Sequence, residues 1–402
     1  MFLKKFGALW YNLPVWFVRS ISFLDSLCKT MSEDWNLKLL PPLFGPWKPT
    51  KKKSRQIAVL MSGGVDSSVT AYLLRQGGWY VLGITMKIPT PCVASSRSCC
   101  GADAAFVANE LGIPHYFIDV TDAFRGLIVE PFRKSYENGQ TPNPCVDCNS
   151  FLKFSLIWDF VSNEFGIDFL ATGHYARVVN NNGKIFLGRA KDRTKDQSYF
   201  LYGIEARRLA GLVLPLGEIT KKEVRSIAAE LKLSVAEKPE SMELCFAGEG
   251  DYRIALLEGH AEKEGDITDM RGKKIGTHKG ITNYTIGQRR GVGFAGGKPL
   301  YVGKIDAMTN TIALGTREEV CCKTVKADSL NVLIPEEFAA EKNLFGKIRS
   351  YNDPLPCKII EAGTNEMTAE FDEPIFAPTP GQRLVLYDGA DNVVAGGTIV
   401  SA

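Results

Sequence analysis

Residues 57–68 read Ile57-Ala-Val-Leu-Met61 and then Ser62-Gly-Gly-Val-Asp-Ser-Ser68, and this stretch decides the fold. Five apolar residues in a row, closed by turn formers, have the pattern of a parallel strand buried on both faces. Val69 to Gln76 continues with helical spacing, Leu73 and Leu74 on its apolar side. The layout is strand, glycine loop, helix. A glycine pair lets backbone approach a ligand closely, and the helix behind it aims free N–H groups and a positive dipole end at an anion. Ser62, Ser67 and Ser68 add hydroxyl donors. The loop therefore suits phosphate, yet it lacks the G-x-x-x-x-G-K-[ST] spacing and that motif's lysine. Asp66 is the odd residue, because a carboxylate in a phosphate cradle repels the ligand unless Mg²⁺ lies between. An ordinary turn with a helix-capping serine is the competing reading.

Working outward, the alternation repeats. Strands are expected from Tyr80 to Met86, His115 to Val120 and Asp168 to Thr172, and helices from Ala104 to Leu111, Phe132 to Glu137 and Phe151 to Phe165. Such alternation predicts an α/β fold with a doubly wound, mostly parallel sheet. Its ligands sit beyond the carboxyl ends of the strands, where the Ser62 loop lies. From about Ile219 the texture changes, with helical spacing over Lys221 to Leu233 and Tyr252 to Leu257, which predicts a small connecting domain. From about Pro299 it changes again to short alternating runs: Leu300 to Lys304, Thr311 to Leu314, Ser329 to Leu333, Gly346 to Arg349, Thr368 to Phe371 and Arg383 to Tyr387. These predict a C-terminal β-barrel. The division expected is 1–55 as extension and linker, 56–215 as the sheet domain, 216–295 as the central domain and 296–402 as the barrel. No internal repeat is visible.

With 402 residues, 45% apolar and 23% charged, the chain fits two or three globular domains and excludes collagen-like, disordered or polytopic membrane classes. The net charge of +3 hides an asymmetry. The first 55 residues carry ten Lys/Arg against three Asp/Glu, leaving 38 against 42 for the body. In the extension, Lys4, Lys5 and Arg19 interrupt the apolar run around Trp10, Trp16 and Phe17 before a membrane span accumulates, and Leu13-Pro14 breaks any secretory h-region. A targeting peptide or surface-lying amphipathic arm competes with a poorly ordered extension. Pro41, Pro42, Pro46 and Pro49 followed by Lys51-Lys-Lys53 read as a linker. The expected location is the cytoplasm, with an organellar address for the extension left open.

Ten cysteines, about one residue in forty, argue for thiol chemistry or metal ligation in a reducing compartment and against a disulfide scaffold. Thr141-Pro-Asn-Pro-Cys-Val-Asp-Cys-Asn149 places two thiols three residues apart at the opening of a helix, where the thiol pKa is expected to fall. Another thiol lies in Lys238-Pro-Glu-Ser-Met-Glu-Leu-Cys-Phe246. A C-x-x-C alone is ambiguous among a zinc half-site, a redox pair and an iron–sulfur site. No second C-x-x-C or histidine pair completes a zinc set. Cys92, Cys99 and Cys100 form a further group with no assigned role, and Cys28, Cys321, Cys322 and Cys357 show no partner spacing.

The Ser62–Ser68 loop resembles that of the adenylating PP-loop ATPases, of the adenine nucleotide α-hydrolase-like fold, which leave AMP on an oxygen of their substrate. With Ala171-Thr-Gly-His-Tyr175, Lys195-Asp-Gln-Ser-Tyr-Phe-Leu201, Leu244-Cys-Phe246, Gly250-Asp-Tyr-Arg253, Tyr284-Thr-Ile-Gly-Gln-Arg-Arg-Gly291 and Gly381-Gln382, the chain from Ile57 onward is similar to the bacterial-type tRNA 2-thiouridylase family. The resemblance implies ATP with Mg²⁺, a tRNA with a wobble uridine and a sulfur-donor or relay protein; no membrane is expected, and a monomer is favoured with the oligomeric state left open. It implies that Leu60, Met61, Ser62, Gly63, Gly64, Val65, Asp66, Ser67, Met86 and Gly173 meet ATP. It sets Asn143, Pro144, Cys145, His174, Lys195, Asp196, Gln197, Arg349 and Gln382 near the tRNA. Cys148 and Cys245 become the catalytic pair, Cys245 carrying a persulfide and Cys148 closing the turnover as a disulfide with it.

Well-known bacterial members of the family this chain resembles carry aspartate at the position matching Cys145. A third thiol opens the alternative of a [4Fe–4S] cluster on Cys145, Cys148 and Cys245 with one open iron, since such clusters are held by thiolates. A PP-loop amide-forming ligase would leave Cys148 and Cys245 idle, and a non-catalytic tRNA-binding protein would not need the intact loop. With an acidic body, RNA phosphates must be met by local clusters, the candidates being Lys221-Lys222, Arg271 to Lys274, Arg289-Arg290 and Lys347 with Arg349.

Overall fold

A computed structural model of the chain describes residues 35, 37–43, 45–49, 55–89, 101–239, 244–246, 263–293, 298–339 and 342–401. The apolar run forms β2 (Gln56–Leu60), with every residue buried. Ala58 and Leu60 face one core cluster while Ile57 and Val59 face another, which is why the strand is apolar without alternation. On one side of β2 lie β3 (Tyr80–Lys87), β4 (His115–Asp119) and, at the edge, β1 (Lys38–Leu39). On the other side lie β5 (Leu170–Ala171) and β8 (Leu212–Val213). All pairings are parallel except β1 with β4. The chain leaves β2 first to one side and later to the other, so the sheet is doubly wound with its switch point at the carboxyl end of β2.

The helix Val65–Gln76 follows β2 directly and buries Val65, Val69 and Leu74. The two later helices are longer than the sequence predicts. Thr121–Phe124 runs through a π-wound stretch, Arg125–Val129, into Glu130–Glu137, and Pro144–Asp147 runs through Cys148–Ile157, also π-wound, into Trp158–Phe165. A π-wound stretch breaks the 3.6-residue period, so the apolar spacing fades where the helix does not. Cys148 heads the second such stretch.

Part of the expected linker is structural. Besides supplying β1, it brings Trp47 onto Tyr80 with ring centroids 4.6 Å apart, and the Trp47 N–H donates to the Tyr116 hydroxyl at 3.0 Å. The Trp35 ring lies where a side chain on Gly126 would go. A hairpin not anticipated from the sequence, β6 (Ala176–Asn181) with β7 (Lys184–Arg189), turns at Asn182-Gly183, both at positive φ. That dipeptide is a strong hairpin signal.

β9 (Gly265–Asp269) and β10 (Lys274–His278) form a four-stranded sheet with β11 (Tyr301–Asp306) and β12 (Thr311–Gly315). The first two runs expected in the barrel therefore pair with central strands instead, because β12 adds in parallel to β9. The helix expected over Tyr252 to Leu257 lies outside the described residues. The closed barrel contains β13 (Cys321–Val332), β14 (Asn343–Lys347), β15 (Leu355–Ala362), β16 (Glu366–Phe376), β17 (Arg383–Tyr387) and β18 (Val393–Ser401). Among the described residues, no helix is long and apolar enough to cross a membrane.

Candidate active site

Gly63 sits at φ +71°, and a Cβ there would come within 2.9 Å of Asp103 and Ala104. Only glycine fits. Gly64, and no serine, caps the helix Val65–Gln76, and no side chain makes the capping hydrogen bond at its start. The Ser67 and Ser68 hydroxyls donate back to the Gly64 carbonyl at 3.2 and 2.8 Å, which rules out the capping-serine reading. The helix start is left open to an anion, as a phosphate cradle requires. Gly173, just past β5, packs so closely that a Cβ would fall 2.8 Å from the Ser67 nitrogen. Leu60 and Met61 are buried beneath the loop, and Met86 is half-buried near the carboxyl end of β3.

The Asp66 carboxylate accepts from the Tyr175 hydroxyl at 2.8 Å and from the Lys221 ammonium at 2.7 and 2.8 Å. Lys221 therefore lies over the nucleotide loop and not on an RNA-facing cluster. Lys238 donates to the Asp103 carboxylate at 2.6 Å and to the Gly63 carbonyl at 3.1 Å. The lysine missing from the loop's own sequence is thus supplied, in space, from far along the chain.

A recess of about 180 Å³ opens nearby, lined by Cys145, Cys148, Cys245, Lys153, His174 and Gln197, with Phe124, Phe200 and Phe246 as aromatic wall. It is below the roughly 300–1,000 Å³ of sites for drug-sized ligands, which suits a single base better than a whole nucleotide. The Asn143 side-chain oxygen accepts from the Val146 N–H at 3.3 Å, and Pro144 opens the turn, so N-P-C is a helix start that presents Cys145. Buried Asn149 donates to the Phe200 carbonyl at 3.0 Å and accepts from the Lys153 ammonium, also at 3.0 Å. Lys153 had no place in the sequence-level site, although its helix was identified.

Cys148 is 7% exposed, whereas Cys145 and Cys245 are exposed at the mouth yet have dense surroundings. Burial pushes all three thiols up, Cys245 to about 12, while the Lys153 ammonium pulls each of them down. The lowering expected from the helix start is absent because desolvation outweighs it. His174 bonds through Nδ1 to the Thr172 hydroxyl at 2.7 Å, and burial, with Lys153 beside it, lowers its pKa to about 3. It is neutral at physiological pH. The Gln197 side-chain oxygen accepts from the Tyr175 N–H at 3.0 Å. His174 and Tyr175 are adjacent in the chain, so one peptide step joins the recess to Asp66.

Other residues set near the tRNA by resemblance are occupied within the fold. Asp196 is buried, and its carboxylate accepts from Arg189, the Ala190 N–H and Ser198 within the fold. Lys347, 3% exposed, lies 3.8 Å from the same carboxylate and leaves the list of RNA-facing cations. Arg349 Nη2 donates to the carbonyls of Ile286 and Ala377 and to the Thr379 hydroxyl. Gln382 donates to the Thr141 and Pro142 carbonyls, and Arg383 pairs with Asp147. Lys195 is half-buried in the turn Arg193–Lys195. Lys222, Arg271, Lys273, Lys274, Arg289 and Arg290 remain exposed, Lys274 paired with Asp266 at 2.6 Å. Cys92, Cys99 and Cys100 lie outside the described residues.

Asp66 has the chemistry to hold Mg²⁺, a cation that takes one or two carboxylates and completes its shell with phosphate and water. Cys145, Cys148 and Cys245 offer the donors for a cluster, but among the described residues no three His, Cys, Asp or Glu side chains are gathered to hold a metal ion. The placement does not fit a cluster.

Residues 55–249 match the family model described as tRNA methyl transferase HUP domain, residues 255–316 the tRNA methyl transferase PRC-barrel domain, and residues 322–400 the aminomethyltransferase beta-barrel domain. The chain is 40% identical over 357 residues to the tRNA-specific 2-thiouridylase MnmA of Lachnoclostridium phytofermentans, covering 86% of this chain and 99% of the relative. It is 42% identical over 361 residues to that of Carboxydothermus hydrogenoformans, covering 86% and 97%. For Pelobacter propionicus the identity is 44% over 359 residues, covering 86% and 98%.

Proposed function

This chain belongs to the tRNA-specific 2-thiouridylase family, and we propose from that premise that it replaces the C2 oxygen of the wobble uridine of tRNA with sulfur at the expense of ATP. The observation that carries the reading is the recess where Cys148 and Cys245, distant in sequence, face one another's space beside the nucleotide loop. Methyl transfer, the wording attached to two of the family models, needs neither thiol. The sheet, central and barrel division of the chain belongs to the same proposal.

Uracil O2 is a poor leaving group. The open helix start at Gly64 would take the phosphates of ATP, and O2 would attack the α-phosphorus, releasing pyrophosphate and leaving AMP on O2. Mg²⁺ on Asp66, when bound, neutralises phosphate charge. A sulfane donor places a terminal sulfur on Cys245. That sulfur attacks C2, AMP leaves with the former O2, and the Cys148 thiolate attacks the Cys245 sulfur. The S–S bond breaks, sulfur stays on C2, and a Cys148–Cys245 disulfide forms, which an external thiol reduces. Lys153 offsets thiolate charge through these steps, and neutral His174 with Gln197 borders the base. Asn143, Pro144 and Cys145 receive the base, while the exposed basic residues meet the RNA backbone.

The test is nucleoside mass spectrometry of tRNA incubated with the protein, ATP, Mg²⁺ and a sulfane donor, compared with cells depleted of the protein. New 2-thiouridine in the first and its loss in the second are expected. Unchanged 2-thiouridine in both would remove the proposal.

A further inference from the structure

We propose that Lys221 is a positioning residue, an internal cation that holds Asp66 until magnesium-bound nucleotide takes the carboxylate over and the ammonium turns to the phosphates. This rests on the ATP reading above and goes beyond it.

A phosphate loop bearing a carboxylate but no lysine of its own is electrostatically incomplete in both states. Without nucleotide, Asp66 is a carboxylate needing a counter-charge; with nucleotide, the phosphates need cations that the loop does not supply. The fold answers the first need visibly. Lys221 Nζ bridges both Asp66 oxygens, the Tyr175 hydroxyl adds a third donor, and the ammonium lies 5.7 Å from the Tyr175 ring centroid.

Lys221 is also placed to exchange partners. It is the first residue of the helix Lys221–Glu230, whose start is fixed independently by a capping box between Thr220 and Glu223, and its own N–H donates to Asp192 at 3.0 Å. The backbone is thus anchored by three contacts that do not involve Asp66, while the ammonium is carried on four rotatable side-chain bonds. Mg²⁺ is bound through one or two carboxylates together with substrate phosphates, so with nucleotide present Asp66 would pass from the ammonium to the cation. The displaced charge then lies within a side chain's reach of the open helix start at Gly64. Lys238 on the Gly63 carbonyl and Asp103 holds the other side of the loop and fixes where the phosphates can lie.

The experiment uses the full chain and reads binding, not turnover. Manganese binding in the absence of nucleotide is followed by electron paramagnetic resonance, and binding of a non-hydrolysable ATP analogue is followed by calorimetry with and without Mg²⁺. In wild type, the metal alone binds weakly because Lys221 covers Asp66. Lys221→Met is expected to tighten metal-alone binding about tenfold and to weaken metal-free analogue binding about tenfold, the worth of one charge-assisted contact. Asp66→Asn in the same background should abolish the gain in metal binding. Lys221→Arg should keep metal-alone binding as weak as wild type. A purely structural ion pair would lower thermal stability and leave metal-alone affinity unchanged or weaker, and that result overturns the proposal. Should Lys221→Met fail to fold, Lys221→Gln, which still donates to Asp66, carries the same expectation for the metal. Wild type that binds no ATP analogue even with Mg²⁺ would instead sink the ATP reading itself.

Discussion

The Gln382 side-chain amide donates to the carbonyls of Thr141 at 2.9 Å and Pro142 at 3.2 Å, tying the barrel to the segment that presents the thiols. The Thr141 N–H in turn donates to the Pro380 carbonyl at 2.8 Å, and a Cβ on Gly381 would fall 2.9 Å from the Thr141 carbonyl. Gln382→Ala is expected to slow thiolation about fivefold, the worth of roughly 1 kcal/mol of hydrogen bonding. ATP-analogue affinity should stay at the wild-type value. Calorimetry beside a thiolation time course checks both.

The thiols divide by role. Cys245→Ser should abolish 2-thiouridine, and Cys148→Ser should abolish it while tRNA-stimulated pyrophosphate release persists. Cys145→Ala should retain thiolation within a few-fold if the persulfide route holds. Continued thiolation by Cys245→Ser would refute that route, and the mass-spectrometric assay reads it directly.

Burial makes the resting thiols poor nucleophiles. Because the pKa values of Cys148 and Cys245 lie above the ordinary thiol value, both are protonated at neutral pH, and their thiolate fraction rises about tenfold per pH unit below the pKa. Iodoacetamide labelling of the free protein at pH 7 should therefore be slower than that of free cysteine and should climb steadily toward pH 10. Lys153→Met should retard labelling further, since the ammonium lowers both values. Peptide mapping of the labelled sites measures this.

Acid should destabilise the fold through buried imidazoles. His115 is fully buried on β4, its Nε2 2.8 Å from the Thr85 hydroxyl, and burial lowers its pKa to about 4. The unfolded chain takes up that proton near pH 6.5, so the contribution is complete above that value and is lost as pH falls toward 4. The loss is on the order of 3 kcal/mol for a shift of this size. Denaturant titrations at pH 7 and pH 5 should show the decline, and His115→Gln should flatten it.

The nucleotide half of the site was readable because its parts are contiguous: strand, glycines, Asp66 and helix follow one another. The sheet was readable for the same reason, each strand carrying its own apolar run. Lys238 and Lys153 carry no site signal in the sequence, and Lys221 reads there as an RNA-facing cation, since an ammonium's position depends on where distant segments meet and leaves no local pattern. Asp196 and Arg349 illustrate the converse. They lie in motif positions that suggest RNA contact, yet internal partners occupy them. The middle sheet was misassigned because β11 and β12 alternate like any barrel strands, and nothing in their residues says which sheet they join.

The short strand β1 closes one edge of the parallel sheet. Lys38 and Leu39 pair with Asp119 and Ile118, and the Leu40 N–H reaches the Phe117 carbonyl at 2.9 Å. Stripped of residues 35–49, β4 would offer a row of bare N–H and C=O groups, a template for any neighbouring strand. Two residues long and bearing a lysine, β1 is itself too short and too charged to recruit another chain. The segment that precedes the family-matched body thus covers the open edge of β4, and shortening the protein to that body would bare it.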